Sequence, residues 1–422
     1  MIYDLSPVER IAMLSVHTSP LAALGQKKTG GMNVYVRDFT RELARQGIQV
    51  DVFTRAADAN TPYIQYDLGC GCRVINVPAG PRESVPNDSI AQYLDEFSAG
   101  VVRFARDYGL RYDLIHSHYW LSGVVAGKLR HSWGPIPVVH MYHTLGHMKN
   151  QIARSVSEFA APVRLLGEAH AAHVADVLVA ATPAEERQLI EYYNVDPAKI
   201  AVVSPGVDLA RFEATRQCVA RRRLGLPVKQ PLVLFVGRIE PLKGVDSLLR
   251  ATALLQQHAP GLMEEARVAI VGGDPTNPDE EMARLQSLWR ELGLQTTVQF
   301  LGARDQDQLP DYYAAADVVA MPSHYESFGM VALEAMAMGT PVIASQVGGL
   351  AHLVQDGVTG YLVPPRSPQA LAERLHKLLT NQPLRRRLGD QAREYAQSYS
   401  WPAVSERILQ LYSVLAEPVP AM

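Results

Sequence analysis

Residues 323–339 read SHYESFGMVALEAMAMG, and this stretch decides the fold. The run that leads into it, VVAMPS (318–323), is apolar enough for a buried strand, while Met330, Val331, Leu333, Ala337 and Met338 predict the apolar face of a short helix. The segment is therefore a strand, a turn and a helix. Glu326 falls in the turn and Glu334 one helical turn inside. Phe328 and Gly329 fall where the first N–H groups of the helix have no intrahelical partner, and such a terminus receives anions or sugar hydroxyls.

The same alternation extends outward in both directions. LVLFVG, VAIVGG, VQFLGA and PVIAS are further short apolar runs separated by helical stretches, which reads as a doubly wound parallel sheet. Several of these strands end in Gly, Ser or a charged residue, at Gly237 to Arg238, Gly272 to Gly273 and Ser323, and ligands of open parallel sheets sit beyond such carboxyl ends. The N-terminal half starts a second sheet. IAMLSV is followed by Met32, Val36, Phe39 and Leu43 at helical spacing, then by Gly47 and the strand IQVDVFTR, a unit that requires a crossover and a parallel pairing. The boundary between the halves is expected near Gly206. The run Arg221, Arg222 and Arg223 just beyond it reads as a solvated helix face.

Composition narrows the class. The chain has 422 residues, long for one core, with 47% hydrophobic and 20% charged residues. Its net charge of -3 argues against a nucleic-acid binder. No apolar run reaches membrane-spanning length, and MIYDLSPVER lacks the pattern of a secretory signal, so no membrane contact and a cytoplasmic location are expected. Three cysteines build no disulfide framework, and Cys70 with Cys72 is too short a motif for a zinc site.

Two glutamates separated by seven residues, in these surroundings, resemble the signature of retaining nucleotide-sugar glycosyltransferases of the GT-B fold. That family also places an arginine and a lysine after a strand of its second domain, as LVLFVGRIEPLKG does with Arg238 and Lys243, and a glycine pair after its first strand, as TGGMNVYV does with Gly30 and Gly31. The resemblance implies two Rossmann-like doubly wound α/β domains facing an interdomain cleft. An acceptor-binding domain would span 1–205 and a nucleotide-sugar-binding domain 206–396, with 397–422 supplying a helix that crosses back onto the first. No G-x-G-x-x-G stands at the first turn, which disfavours a nicotinamide cofactor.

A nucleotide-sugar donor leaves as a diphosphate, so stabilising negative charge on the bridging oxygen is the main catalytic task. Arg238, by its planar fork, and Lys243, as a point charge, suit that task. Gly30 and Gly31 would let backbone N–H groups approach a phosphate. The resemblance assigns Glu334 to the ribose hydroxyls, Glu326 to the neighbourhood of the donor sugar, and Phe328, Gly329, Met330 and Val331 to the donor. It also sets the backbone around Arg304 against the base, and His143 in VVHMYHTLG against the sugar. A glycosidase-like pairing of Glu326 and Glu334 would require both to flank one bond at about 5–9.5 Å, and separate tasks fit better. His116 and His118 in HSHYW would face one side of a strand and suggest a metal, but no third ligand stands at a matching spacing. Asp305 and Asp307 form a D-x-D pattern but precede a helix, where acidic residues act as caps. Neither a metal nor another cofactor is expected.

The first half resembles two groups within the family, bacterial sucrose-phosphate synthases and the inositol-phosphate N-acetylglucosaminyltransferases of mycothiol synthesis. SVHTSPL, GGMNVYV and HSHYWLSG look like the second group, AGPRESVP and YHTLG like the first. Both use phosphorylated acceptors, which implies roles for Asn33, Arg82, Tyr119, Thr144 and Arg164. Asn87 falls where the mycothiol group has a phosphate-binding lysine, while Arg82 appears five residues earlier. On these grounds the expected reaction is transfer of glucose from UDP-glucose to fructose 6-phosphate, giving sucrose 6-phosphate. Inositol phosphate with UDP-N-acetylglucosamine is the alternative acceptor reading, and an inactive nucleotide-sugar-binding module the alternative of another class. No phosphatase motif follows the transferase words, so a separate phosphatase is expected for the product.

Overall fold

The run IAML forms most of β1 (Arg10–Leu14), whose last four residues are buried. Its neighbours are β2 (Gln49–Arg55), β3 (Ile64–Gln65), β4 (Cys72–Val77), β5 (Leu114–His118), β6 (Val138–Met141), β7 (Val177–Ala180) and β8 (Ile200–Val202), in the order β3-β4-β2-β1-β5-β6-β7-β8. Every pairing is parallel except that of the short edge strand β3 with β4. The computed structural model describes residues 8–22, 30–153 and 155–416.

The helix Gly31–Arg45 lays Val36, Phe39 and Leu43 into this first core, as the spacing predicts, and Gly47 turns the chain out of it with φ 83°. Helices on both faces explain why β1, β5 and β6 are apolar or buried along nearly their whole length rather than alternating.

The second sheet comprises β9 (Leu232–Val236), β10 (Arg267–Val271), β11 (Val298–Gly302), β12 (Val318–Met321), β13 (Val342–Ser345) and β14 (Gly360–Val363), in the order β11-β10-β9-β12-β13-β14 and wholly parallel. In each sheet the order of the parallel strands reverses once, beside β1 in the first and beside β9 in the second, and loops diverge there at the carboxyl ends. The five expected strands of the second half are present. β14, GYLV, is a sixth.

Contacts divide the chain into Gly31–Gly206 with its flanking strand β1 and the helix Trp401–Ala416, and a second unit, Val207–Ser400. The final segment therefore begins at Trp401 rather than at 397. Val207 N–H donates to Tyr399 C=O at 2.8 Å and pairs with Ser400, which ties residues 397–400 to the second unit. Trp401 then packs its ring 5.3 Å from that of Tyr35 in the first unit.

The basic run is not a uniformly solvated face. Arg222 and Arg223 are exposed, but Arg221 is 2% exposed and pairs with Asp317 at 2.8 Å, donating also to Ala315 and Val228 carbonyls. Asp317 in turn accepts from Leu232 N–H and pairs with Arg385 at 3.1 Å, so one carboxylate joins the start of β9 to two helices.

Candidate active site

In the second unit the chain leaves β12 through Pro322 and enters the helix Met330–Ala337 at Gly329, whose φ of 109° no other residue adopts without strain. Ala332 through Ala337 are all buried, Glu334 included. Met330 and Val331 are not part of the buried surface, as the expected apolar face required. They stand half-exposed in the open first turn, beside buried Phe328, whose ring lies 6.1 Å from Tyr399.

The turn is fixed from two sides by glycines. A Cβ at Gly244 would lie 2.0 Å from the Pro322 carbonyl oxygen and one at Gly348 would lie 2.1 Å from that of Glu326, so no side chain fits at either position. His324 N–H donates to Leu242 C=O at 2.7 Å and Gly349 N–H to Glu326 C=O at 2.8 Å. The loop after β9 and the loop after β12 are thus joined through backbone. That junction sets Lys243 Nζ 2.6 Å from Glu326 Oε2, with both side chains mostly buried. Arg238 is half-exposed and paired with Glu240 at 2.7 Å.

Glu334 accepts the Tyr313 hydroxyl on Oε2 at 2.6 Å. Burial and the neighbouring carboxylate push that hydroxyl's pKa far up, so it remains a donor. Arg304 donates from Nε to the Tyr312 hydroxyl at 2.9 Å. The two D-x-D aspartates have other tasks, since Asp305 forms a capping box with Gln308 and the exposed Asp307 pairs with Arg211 at 3.4 Å. Among the described residues no group of three or more His, Cys, Asp or Glu is arranged to hold a metal ion.

In the first unit, His143 stands two residues beyond β6 at φ 61°, and its Nε2 shares a 3.0 Å hydrogen bond with His118 Nδ1. His116 and His118 do face one side, with rings 4.3 Å apart, but His116 Nδ1 is occupied by the Tyr412 hydroxyl at 2.6 Å. Burial drives all of these imidazoles down, His116 and His143 to about 3 and His118 well below its usual value, so they are neutral at physiological pH. A neutral His143 can donate or accept one hydrogen bond per ring nitrogen, and His118 takes Nε2.

Three predicted acceptor residues come together. Arg164, 8% exposed, donates from one terminal nitrogen to Thr144 C=O at 3.1 Å and Thr144 Oγ1 at 3.2 Å, and its guanidinium lies 5.2 Å over the Tyr119 ring. Asn33 is elsewhere occupied, donating to Thr18 Oγ1 and Ser19 C=O at 2.7 Å. Arg82 is exposed. The cation that acts on its loop is the buried Arg55, which donates to the Pro81 and Glu83 carbonyls at 2.6 Å. Asn87 carries a buried side-chain oxygen without a partner among the described residues. Gly30 and Gly31 stand at the start of the helix Gly31–Arg45, while Thr29 of the same word lies outside the described residues.

Sequence reading missed Glu168, Tyr193, Arg55 and Tyr313. Tyr193, Arg55 and Tyr313 act through partners distant in sequence, and Glu168 pairs with Arg164 at i, i+4 but is closed over by Gly146 and Tyr193 from further off. A groove of about 1030 Å³ on the helical side of the first unit is lined by Trp120, Leu166 and His170 and by none of the predicted site residues.

Two doubly wound units, a Lys–Glu pair beyond the β9/β12 switch point of one and His143 with Arg164 beyond β6 of the other, are the arrangement of a GT-B glycosyltransferase, and comparison with known proteins bears out that class. Residues 29–211 match Glycosyltransferase Family 4 and residues 218–395 match Glycosyl transferases group 1. A D-inositol 3-phosphate glycosyltransferase of Salinispora arenicola is 43% identical over 411 residues, 96% of this chain and 91% of that relative, and one of Kineococcus radiotolerans is 44% identical over 420 residues, 96% and 95%. Among solved structures, sucrose-phosphate synthase from Thermosynechococcus elongatus superposes with a TM-score of 0.88 at 36% identity, covering 96% of this chain and 99% of that one. Anabaena Alr3699/HepE in complex with UDP-glucose shares the fold, with a TM-score of 0.73 at 22% identity, over 96% of this chain and 99% of that one. The chain belongs to the group 1 glycosyl transferases of the GT-B fold.

Proposed function

We propose that this glycosyltransferase moves a sugar, with retention, from a uridine diphosphate donor to a phosphorylated polyol, and that the polyol is an inositol phosphate. The observation that carries the acceptor class is Arg164, a buried cation held beside the Thr144 hydroxyl with one terminal nitrogen uncommitted. Similarity of 43–44% across nearly the whole chain to proteins named for inositol 3-phosphate favours inositol over fructose 6-phosphate. The resemblance to the mycothiol group implies N-acetylglucosamine as the sugar. This reverses the preference drawn from the AGPRESVP and YHTLG words.

The donor half follows from the second unit. Arg238 and Lys243 take the diphosphate, and Lys243 exchanges part of its bond with Glu326 for the leaving phosphate as negative charge develops there. Glu334, held by Tyr313, accepts from the ribose hydroxyls. His143 offers its remaining ring nitrogen to the donor sugar, and the leaving phosphate helps deprotonate the acceptor hydroxyl on the same face. No metal takes part. The product keeps its phosphate, so a phosphatase would act next. No helix among the described residues is long and apolar enough to cross a membrane, and soluble phosphorylated substrates fit a cytoplasmic location.

A second reading keeps fructose 6-phosphate with UDP-glucose, supported by the TM-score of 0.88 to sucrose-phosphate synthase and by Asn87 in place of lysine. Initial rates with the two donor and acceptor pairs, measured side by side, separate them. Turnover of inositol phosphate with UDP-N-acetylglucosamine is expected, and turnover of fructose 6-phosphate alone would overturn the proposal.

A further inference from the structure

Arg164 is held by a buried carboxylate from its own helix. Its Nε donates to Glu168 Oε1 at 2.9 Å, and Glu168 is fully buried. Both oxygens of Glu168 also accept the Gly146 N–H at 3.0 Å, and Oε2 accepts the Tyr193 hydroxyl. A Cβ at Gly146 would meet Leu165 Cδ2 at 2.7 Å and Glu168 Oε2 at 2.9 Å, so the glycine of HTLG is what lets this N–H reach the carboxylate. One side chain therefore ties together the helix Pro162–Val174, the loop that carries His143 and Thr144, and the end of the helix Pro183–Tyr193.

The donors of Arg164 can be counted. Nε is committed to Glu168 and one terminal nitrogen to Thr144, while the other terminal nitrogen has no partner among the described residues. A guanidinium fixed on two edges presents its third edge in one direction, which is how a single arginine gains selectivity for an anion. An unrestrained Glu168 would cancel the charge of Arg164. The Tyr193 and Gly146 donors hold part of its negative charge, and Tyr193 stays protonated because burial and the carboxylate itself push its hydroxyl far up.

We propose that Glu168, supported by Tyr193, is the positioning residue that aims the free edge of Arg164 at the phosphate monoester of the acceptor and so sets the enzyme's affinity for it. The inference rests on the reading of Arg164 as the acceptor's anion site. It extends to any phosphorylated acceptor, inositol or fructose alike.

The test uses the full chain and two variants, Glu168→Gln and Tyr193→Phe, with inorganic phosphate as the calorimetric probe and steady-state KM values for acceptor and donor beside it. Glu168→Gln should weaken phosphate binding and raise the acceptor KM about tenfold while leaving the donor KM within about twofold, and Tyr193→Phe should shift the same two quantities about threefold. A general loosening would move both KM values together or lower kcat alone, and either result overturns the proposal, as does phosphate affinity unchanged in both variants. If Glu168→Gln does not fold, Tyr193→Phe decides, since it removes one hydroxyl and leaves the Arg164 and Gly146 bonds in place. A protein that binds phosphate but turns over neither acceptor would sink the function proposed above, and the phosphate titration would still decide the role of Glu168.

Discussion

Lys243→Met removes one charge while keeping most of the apolar stem. In the structure the Lys243 ammonium sits 2.6 Å from Glu326, with side-chain exposures of 20% and 16%. Two losses follow. The leaving diphosphate loses a cationic contact that is fully used only in the transition state, about 3 kcal/mol or roughly a hundredfold in rate. Glu326 also loses its counter-ion, and an unpaired carboxylate then stands where the diphosphate arrives. The double variant Lys243→Met with Glu326→Gln removes that second penalty, so it should recover about tenfold over Lys243→Met, a coupling of about 1.4 kcal/mol. The assay is donor kcat/KM for wild type, both single variants and the double variant, with UDP affinity by calorimetry. Near-normal turnover in Lys243→Met refutes the diphosphate role. Strict additivity across the four proteins refutes the coupling to Glu326.

Three further outcomes are expected. Arg221→Ala leaves Asp317 buried without its closest cation, so the second unit should lose about 3 kcal/mol of stability in urea titration, with donor KM unchanged in the protein that remains folded. His116, His118, His140 and His143 are held neutral below the unfolded value near 6.5, so the unfolded chain binds more protons as pH falls and stability drops below about pH 6.5, by up to about 1.4 kcal/mol per pH unit for each imidazole. A urea midpoint that stays flat from pH 7 to pH 5 would contradict that burial. Activity should survive EDTA, and a complete loss restored by one divalent metal would contradict the metal-free mechanism.

Much of this was legible in the sequence, for physical reasons that can be named. Short apolar runs ending in glycine or serine marked most parallel strands, because strands covered on both faces tolerate little else. Glu326, Glu334, Arg238 and Lys243 were visible because they follow such runs directly. The helix Met330–Ala337 was misread in detail because it is buried almost all round, which leaves no periodic face to find. Arg221 was misread because a run of three arginines reads alike whether or not its first member is buried in a long-range pair; its partner Asp317 lies far along the chain. Glu168 was invisible for the same reason. Its i, i+4 pairing with Arg164 looks like ordinary helix surface until Gly146 and Tyr193 close over it. Arg82 was visible as a cation in a suggestive word, whereas Arg55, which holds its loop through backbone carbonyls, was not.

The acceptor's phosphate is the point on which the functional reading turns. The most direct measurement compares kcat/KM for inositol phosphate and for free inositol, with UDP-N-acetylglucosamine as donor, in the wild-type protein. A buried arginine left without its anion should cost the unphosphorylated acceptor at least about a hundredfold. Equal efficiency with the two acceptors would contradict the assignment of Arg164, Thr144 and Tyr119 to a phosphate.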